Sequence, residues 1–308
     1  MLRDRLIVGT LMIVGLVVVM VFDAQLERVP VAGTGWEWLF RGRDRCPGGL
    51  LLFLLFAPLV ALAALELCAM LRVKGIEAQP FVIMAGSVAG FAVLYGHTIW
   101  PQAALGGLLL PTLLIVVFVS ALYIHSFHRQ RVEGALAVAA GSLLAVVYLG
   151  LMPGFLLVIR AEYGVWTAAS IIVVTKSADS GAYFVGRRFG RHKLVPWLSP
   201  KKTWEGLVAA VVVSAMVAVA AVWCLNSFGV AGQWHAAASI PMVALTGVAL
   251  GLLGHLGDLV ASLLKRDAGL KDSGQVIRGF GGLIDVFDSA IMVGPVAYWL
   301  LWWSSSVA

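Results

Sequence analysis

Nine stretches of this chain are each long and apolar enough to cross a lipid bilayer, and no other feature limits the fold as much. They run approximately over 5–22, 48–72, 80–97, 105–125, 134–159, 164–186, 204–226, 236–264 and 282–303. A hydrocarbon core of about 30 Å takes roughly 20 apolar residues per helix. The runs are continuous rather than alternating, which speaks against a transmembrane β-barrel. In lipid every backbone N–H and C=O must be satisfied within the spanning structure. The expected fold class is therefore all-α: a polytopic transmembrane helical bundle of about nine spans. Composition agrees, since 61% of the residues are hydrophobic and 12% charged, whereas a soluble domain carries about 25% charged residues. A soluble domain, a disordered chain and a collagen-like repeat are excluded.

The placement of the few charges predicts an orientation. With nine spans, sixteen of the 22 basic residues fall on the side of the N-terminus, five on the other side, and Lys176 lies inside a span. Basic residues collect on the cytoplasmic side, so the N-terminus is expected in the cytoplasm. The net charge of +6 then reflects orientation, and no nucleic-acid partner is expected. The run from Leu6 to Phe22 is long for a signal-peptide core and ends at Asp23 rather than at a small-residue cleavage site, so it reads as a retained helix. Cys46, Cys68 and Cys224 form no CxxC pair and are read as packing thiols, with neither disulfide nor metal. Gly86-Ser-Val-Ala-Gly90 and the Gly251, Gly254, Gly257 series offer small faces for close helix approach.

Two polar blocks stand out against this background. The first holds Lys176, Asp179 and Tyr183 at i, i+3 and i+7, on one helical face. The loop after it is rich in cations, hydroxyls and glycines and includes Ser199, Lys201, Lys202, Thr203 and Glu205. Cations, hydroxyls and unhindered backbone N–H groups suit phosphates; a basic loop answering anionic headgroups is the plainer reading. The second block is denser. His255, Asp258, Ser262 and Lys265 recur along one face of the eighth span, followed by Arg266, Lys271, Asp272, Arg278, a Gly-rich turn, Asp285, Asp288 and Ser289. Membrane carboxylates are costly and need cations. They are explained either by ion pairs with Lys265, Arg266 and Lys271 or by a hard metal whose shell is completed by substrate phosphates. His255 by itself reads as a packing or hydrogen-bonding residue.

The residues alone thus predict a cytoplasm-facing, metal-dependent phosphate site sunk into a helical bundle. The chain reads as one integral membrane domain over 1–308, with hydrophobic spans in 1–160 and the catalytic helices and cytoplasmic loops in 164–303. There is no GxxxxGK[ST], HExxH or GxSxG motif, so P-loop ATPase, zinc protease and acyl-hydrolase chemistry have no support.

These blocks resemble phosphatidate cytidylyltransferase, the CDP-diacylglycerol synthase family. Its signature runs S-x-x-K-R-x4-K-D-x-G, then P-G-H-G-G-x-x-D-R-x-D. Here it reads Ser262-Leu-Leu-Lys265-Arg266, Lys271-Asp272-Ser-Gly274, then Arg278-Gly279-Phe280-Gly281-Gly282-Leu-Ile-Asp285-Val286-Phe-Asp288. Asp179-Ser-Gly-Ala-Tyr183, Ser199-Pro-Lys-Lys-Thr-Trp-Glu-Gly206 and Gly257-Asp258 are also similar to that family. The likeness covers about 176–289.

The resemblance implies a membrane enzyme, a homodimer, that condenses CTP with phosphatidate to CDP-diacylglycerol and pyrophosphate. It implies Mg²⁺, with room for a second cation, on Asp258 and Asp285, assisted by Asp288. Ser262, Lys265, Arg266, Lys271 and Asp272 would hold phosphates or orient ligands, with Asp179, Tyr183 and the Ser199–Glu205 loop touching nucleotide or headgroup. A bacterial cytoplasmic membrane, with the site facing the cytoplasm, is the expected location, and membrane lipids are its surroundings. Three positions depart from the signature: Phe280 for His, Val286 for Arg and Arg278 for Pro, with Arg278 offered as partial replacement for the lost positive charge. Competing readings are a CTP-dependent lipid kinase, a cytidylyltransferase for another lipid phosphate, and a secondary transporter.

Overall fold

The computed structural model describes the chain except residues 1, 32, 36, 39, 41, 42, 101–105, 129, 131, 230–238, 275, 278–280 and 308. Among the described residues, helices form where the apolar runs predict them. They are α1 (Leu2–Leu26), α2 (Leu50–Val73), α3 (Pro80–Ile99), α4 (Gly106–Tyr123), α5 (Ala135–Tyr163), α6 (Val165–Phe189), α7 (Trp204–Ser227), α8 (Ile240–Asp267) and α9 (Leu283–Val307). Eight are long and apolar enough to cross a membrane, which makes this an integral membrane protein. The remaining one, α6, is 25 residues long, but Lys176 and Asp179 lie near its middle and Arg187 and Arg188 in its last turn. The segment expected as a basic loop after α6 also contains a small antiparallel hairpin, β1 (Lys193–Val195) with β2 (Ser199–Thr203).

The chain divides into two compact units. One comprises Met1–Ala161 with Asp267–Val286, the other Glu162–Arg266 with Phe287–Ala308.

In the first unit, lipid offers helices no hydrophobic drive to associate, so close packing and buried polar bonds hold them. The small face of α3 serves the packing. A side chain at Gly86 would meet Val146 at 2.9 Å and Val117 at 3.0 Å, and one at Gly150 would run into the Ser87 carbonyl. Val146–Leu151 of α5, which includes Gly150, is wound as a π-helical segment. The polar bonds centre on Arg160, 1% exposed, which pairs with Asp23 at 2.7 Å and Glu27 at 2.9 Å. Asp23 also accepts the N–H groups of Gly49 and Leu51 at 3.0 Å each, capping α2 from outside the helix. A buried charge pair persists only when its remaining lone pairs are bonded in this way. Cys46 lies nearby, and burial together with the Asp23 charge pushes its thiol up; all three cysteines are free.

In the second unit, α8 supplies the small face. Side chains at Gly247, Gly254 and Gly257 would meet the Ser214 carbonyl at 2.7 Å, the Thr175 methyl at 2.9 Å and the Asp288 carbonyl at 2.5 Å. Thus α8 lies against α7, α6 and α9 in turn. The hairpin closes onto the start of α7, where Thr203 accepts the Gly206 N–H at 3.2 Å as N-cap. Gly186, Gly190 and Gly206 leave room for Thr203, whose hydroxyl would sit 3.0 Å from a side chain at Gly186.

Candidate active site

The second unit gathers five charged residues and two serines that the sequence spreads over more than a hundred positions. From α6, Lys176 reaches Asp179 at 3.3 Å, Asp288 at 3.9 Å and the Ser289 hydroxyl at 3.4 Å. Ser289 bonds back to Asp288 through its N–H at 2.5 Å and its hydroxyl at 2.9 Å, and that hydroxyl lies 3.2 Å from Asp179. One hydroxyl proton serves one carboxylate at a time, so Asp179 and Asp288 compete for it. All the bonds described at Asp288 use Oδ1.

Beside this group stands Asp258 on α8. In β2 the Lys202 side chain is 11% exposed, while Lys201 faces out. The Lys202 ammonium pairs with Asp258 Oδ2 at 2.9 Å and donates to the His255 carbonyl at 3.0 Å. The Ser262 hydroxyl lies 3.4 Å from Asp258 Oδ1. Gly257, the residue before Asp258, lies against the backbone of Asp288 and Ser289. The glycine face foreseen as mere packing is therefore what brings the Asp258 turn against Asp288. His255 is 7% exposed and its Nε2 has no hydrogen-bond partner among the described residues, whereas buried polar atoms are generally bonded.

Asp285 belongs to the first unit and is held differently. Its Oδ2 accepts the Ser273 N–H at 2.8 Å, the Ser273 hydroxyl at 3.1 Å and the Gly282 N–H at 3.1 Å. The loop that makes this possible turns at Gly281, whose φ of 101° favours glycine, and is closed by paired bonds between Ile277 and Gly281 at 2.9 and 3.1 Å. Glu66 of α2, buried to 8% exposure, accepts from Ser273 at 2.8 Å, Leu283 N–H at 2.8 Å and Ile284 N–H at 3.1 Å.

The other expected residues are placed as follows. The cations described at Asp258 and Asp288 are Lys202 and Lys176. Lys265 and Arg266 end α8 and are themselves engaged in interactions. Lys271 and Asp272 are exposed. Tyr183, although on the predicted face of α6, turns to Arg187, whose guanidinium donates to its hydroxyl at 2.9 Å. Glu205 holds the hairpin by accepting from His192 Nδ1 at 2.7 Å. Ser199 opens β2, and Arg278 and Phe280 lie outside the described residues. Glu66 was not foreseen. Its signal was present, because it is the only acidic side chain in the predicted 48–72 span, and a charged residue within a span marks a functional position by default.

Among the described residues, no three His, Cys, Asp or Glu side chains form a metal cage. The donor chemistry nevertheless fits Mg²⁺, which takes one or two carboxylates and completes its shell with phosphate oxygens and water rather than an all-protein cage. Asp258 and Asp288 are hard-oxygen donors of that kind.

Residues 46–304 match the model of the cytidylyltransferase family. A phosphatidate cytidylyltransferase of Bacillus subtilis is 40% identical over 162 residues, 51% of this chain and 56% of the relative. One of Chlamydia pneumoniae is 32% identical over 205 residues, 62% and 63%. The chain thus spans less than two thirds of the length of these two relatives. One of Staphylococcus saprophyticus is 33% identical over 259 residues, covering 82% of this chain and 91% of the relative. The match takes in both carboxylate groups and seven of the nine helices in full, and the chain belongs to the cytidylyltransferase family.

Proposed function

We propose that this chain transfers the cytidylyl group of CTP to phosphatidate, giving CDP-diacylglycerol and pyrophosphate for phospholipid synthesis. The site faces the cytoplasm of a bacterial inner membrane, and the reaction depends on Mg²⁺. The observation that carries this reading is the set of lysine-bound carboxylates, Lys202 on Asp258 and Lys176 on Asp179 and Asp288, in a chain of this family.

A phosphatidate oxygen attacks the α-phosphorus of CTP, the bond from that phosphorus to the bridging oxygen breaks, and pyrophosphate leaves. The attacking oxygen is already ionised near neutral pH, so no general base is needed. The difficulty is bringing two polyanions together, which positioning and charge neutralisation solve. Lys176 and Lys202 are suited to this because an ammonium can exchange a carboxylate for a phosphate oxygen without changing its own charge. Ser262 and Ser289 orient Asp258 and Asp288. Mg²⁺ held by Asp258 and Asp288, and a cation held by Asp285, would offset the charge of the triphosphate and the departing pyrophosphate. The diacylglycerol part stays in lipid while its headgroup reaches the site.

The test is product analysis with purified protein, CTP, phosphatidate and Mg²⁺. Equal amounts of pyrophosphate and CDP-diacylglycerol, lost on chelation and restored by Mg²⁺, are expected. Formation of CDP would indicate a kinase, and no pyrophosphate with any divalent cation would overturn the proposal.

A further inference from the structure

Glu66 lies more than two hundred residues before the loop it touches, and its carboxylate is bonded through both oxygens. Oε1 accepts the Leu283 N–H, and Oε2 accepts the Ile284 N–H and the Ser273 hydroxyl. Leu283 and Ile284 open α9, and the first N–H groups of a helix have no partner within it. Glu66 supplies that partner, and a negative charge there is favoured by the helix dipole. Ser273 is the link to Asp285. Its single hydroxyl proton can go to Glu66 at 2.8 Å or to Asp285 at 3.1 Å, while its N–H bonds Asp285 at 2.8 Å. Side chains at Gly274 and Gly282 would collide with the Glu66 carboxyl group, at 2.7 Å in the case of Gly274. The loop backbone is thus moulded around this one side chain.

We infer that Glu66 is a positioning residue: by fixing Ser273 and the start of α9 it holds Asp285 in its working orientation. The inference rests on the cytidylyltransferase reading for the role of Asp285, but the clamp itself is a separate claim. A carboxylate is specifically required. In Glu66→Gln the amide NH₂ must face either the Leu283 N–H or the Ile284 N–H, donor against donor, whichever way the amide is turned.

The experiment compares wild type with Glu66→Gln and Glu66→Asp, and reads two things. The first is steady-state pyrophosphate release with CTP and phosphatidate. Partners that orient a metal-binding carboxylate cost about 10–100-fold when lost, so kcat of Glu66→Gln should fall by that factor. Its KM for CTP should stay within about threefold, since the lost interaction acts on the transition state rather than on binding. Glu66→Asp, which keeps both acceptor oxygens, should recover part of the loss. The second reading is trypsin cleavage after Lys271, which is exposed in the clamped loop, against cleavage after Lys193, which is exposed in the hairpin of the other unit. Cleavage after Lys271 should quicken in Glu66→Gln while cleavage after Lys193 does not. Wild-type kcat with wild-type cleavage at Lys271 would overturn the inference. So would equal acceleration at both sites, which would mean general destabilisation, or a change confined to KM. If wild type releases no pyrophosphate, the functional reading fails and the cleavage pair alone still decides the role of Glu66.

Discussion

In one unit Asp258 and Asp288 are met by lysine side chains; in the other Glu66 and Asp285 are met by backbone N–H groups and a serine. Both solutions offset the cost of placing carboxylates near a membrane interior. They differ in what they leave free to move. Lys176 and Lys202 sit on rotatable stems and exchange partners when a phosphate arrives. The N–H groups of Ser273, Gly282, Leu283 and Ile284 are fixed in the chain, so they set a shape. The lysine-bound group is suited to receiving charge, and the backbone-bound group to holding geometry.

Substitutions break this comparison at different depths. Among substitutions of the groups around the carboxylates, the largest effect is expected for Lys202→Ala, which removes a cation from the receiving group. Phosphoryl-transfer cations of this kind are worth about 10³-fold or more in turnover, measured as pyrophosphate release. Next comes Gly257→Val. Its added side chain would meet the Asp288 carbonyl at 2.5 Å and separate the two carboxylate-bearing turns, and a displacement near 1 Å costs about 10²-fold. Ser273→Ala, on the shape-holding side, should cost about tenfold, as removal of an orienting hydroxyl does.

A control sharpens the distinction. Arg160 is also buried among carboxylates, but its group contains no element of either site. Arg160→Met leaves Asp23 buried without its cation and should destabilise the fold by about 3–5 kcal/mol, read as thermal unfolding in detergent. Turnover per folded molecule should not change. A loss of turnover at constant stability would show that the Asp23–Arg160 group serves the reaction.

The helices were legible because lipid demands long apolar runs. The predicted 164–186 and 204–226 lie within a few residues of Val165–Phe189 and Trp204–Ser227. Helical spacing also put Lys176 and Asp179 on one face correctly. For Tyr183 spacing states a direction and not a partner, and its hydroxyl accepts from Arg187 one turn on. Lys202 and Lys176 as partners of Asp258 and Asp288 were hidden for the same reason. Lys176 is 113 positions from Ser289, and sequence proximity drew attention to Lys265 and Lys271 instead. The hairpin at 193–203 is too short for strand periodicity to register. Glu66 was overlooked because its run reads as an ordinary span, although a lone carboxylate in such a run is itself the signal.

The most direct test of the account is pyrophosphate release from CTP and phosphatidate in the presence of Mg²⁺, measured for wild type and Asp285→Asn at equal amounts of folded protein. The account predicts one pyrophosphate per CDP-diacylglycerol from wild type and none above background from Asp285→Asn. Equal rates from the two proteins, or no pyrophosphate from wild type, would contradict it.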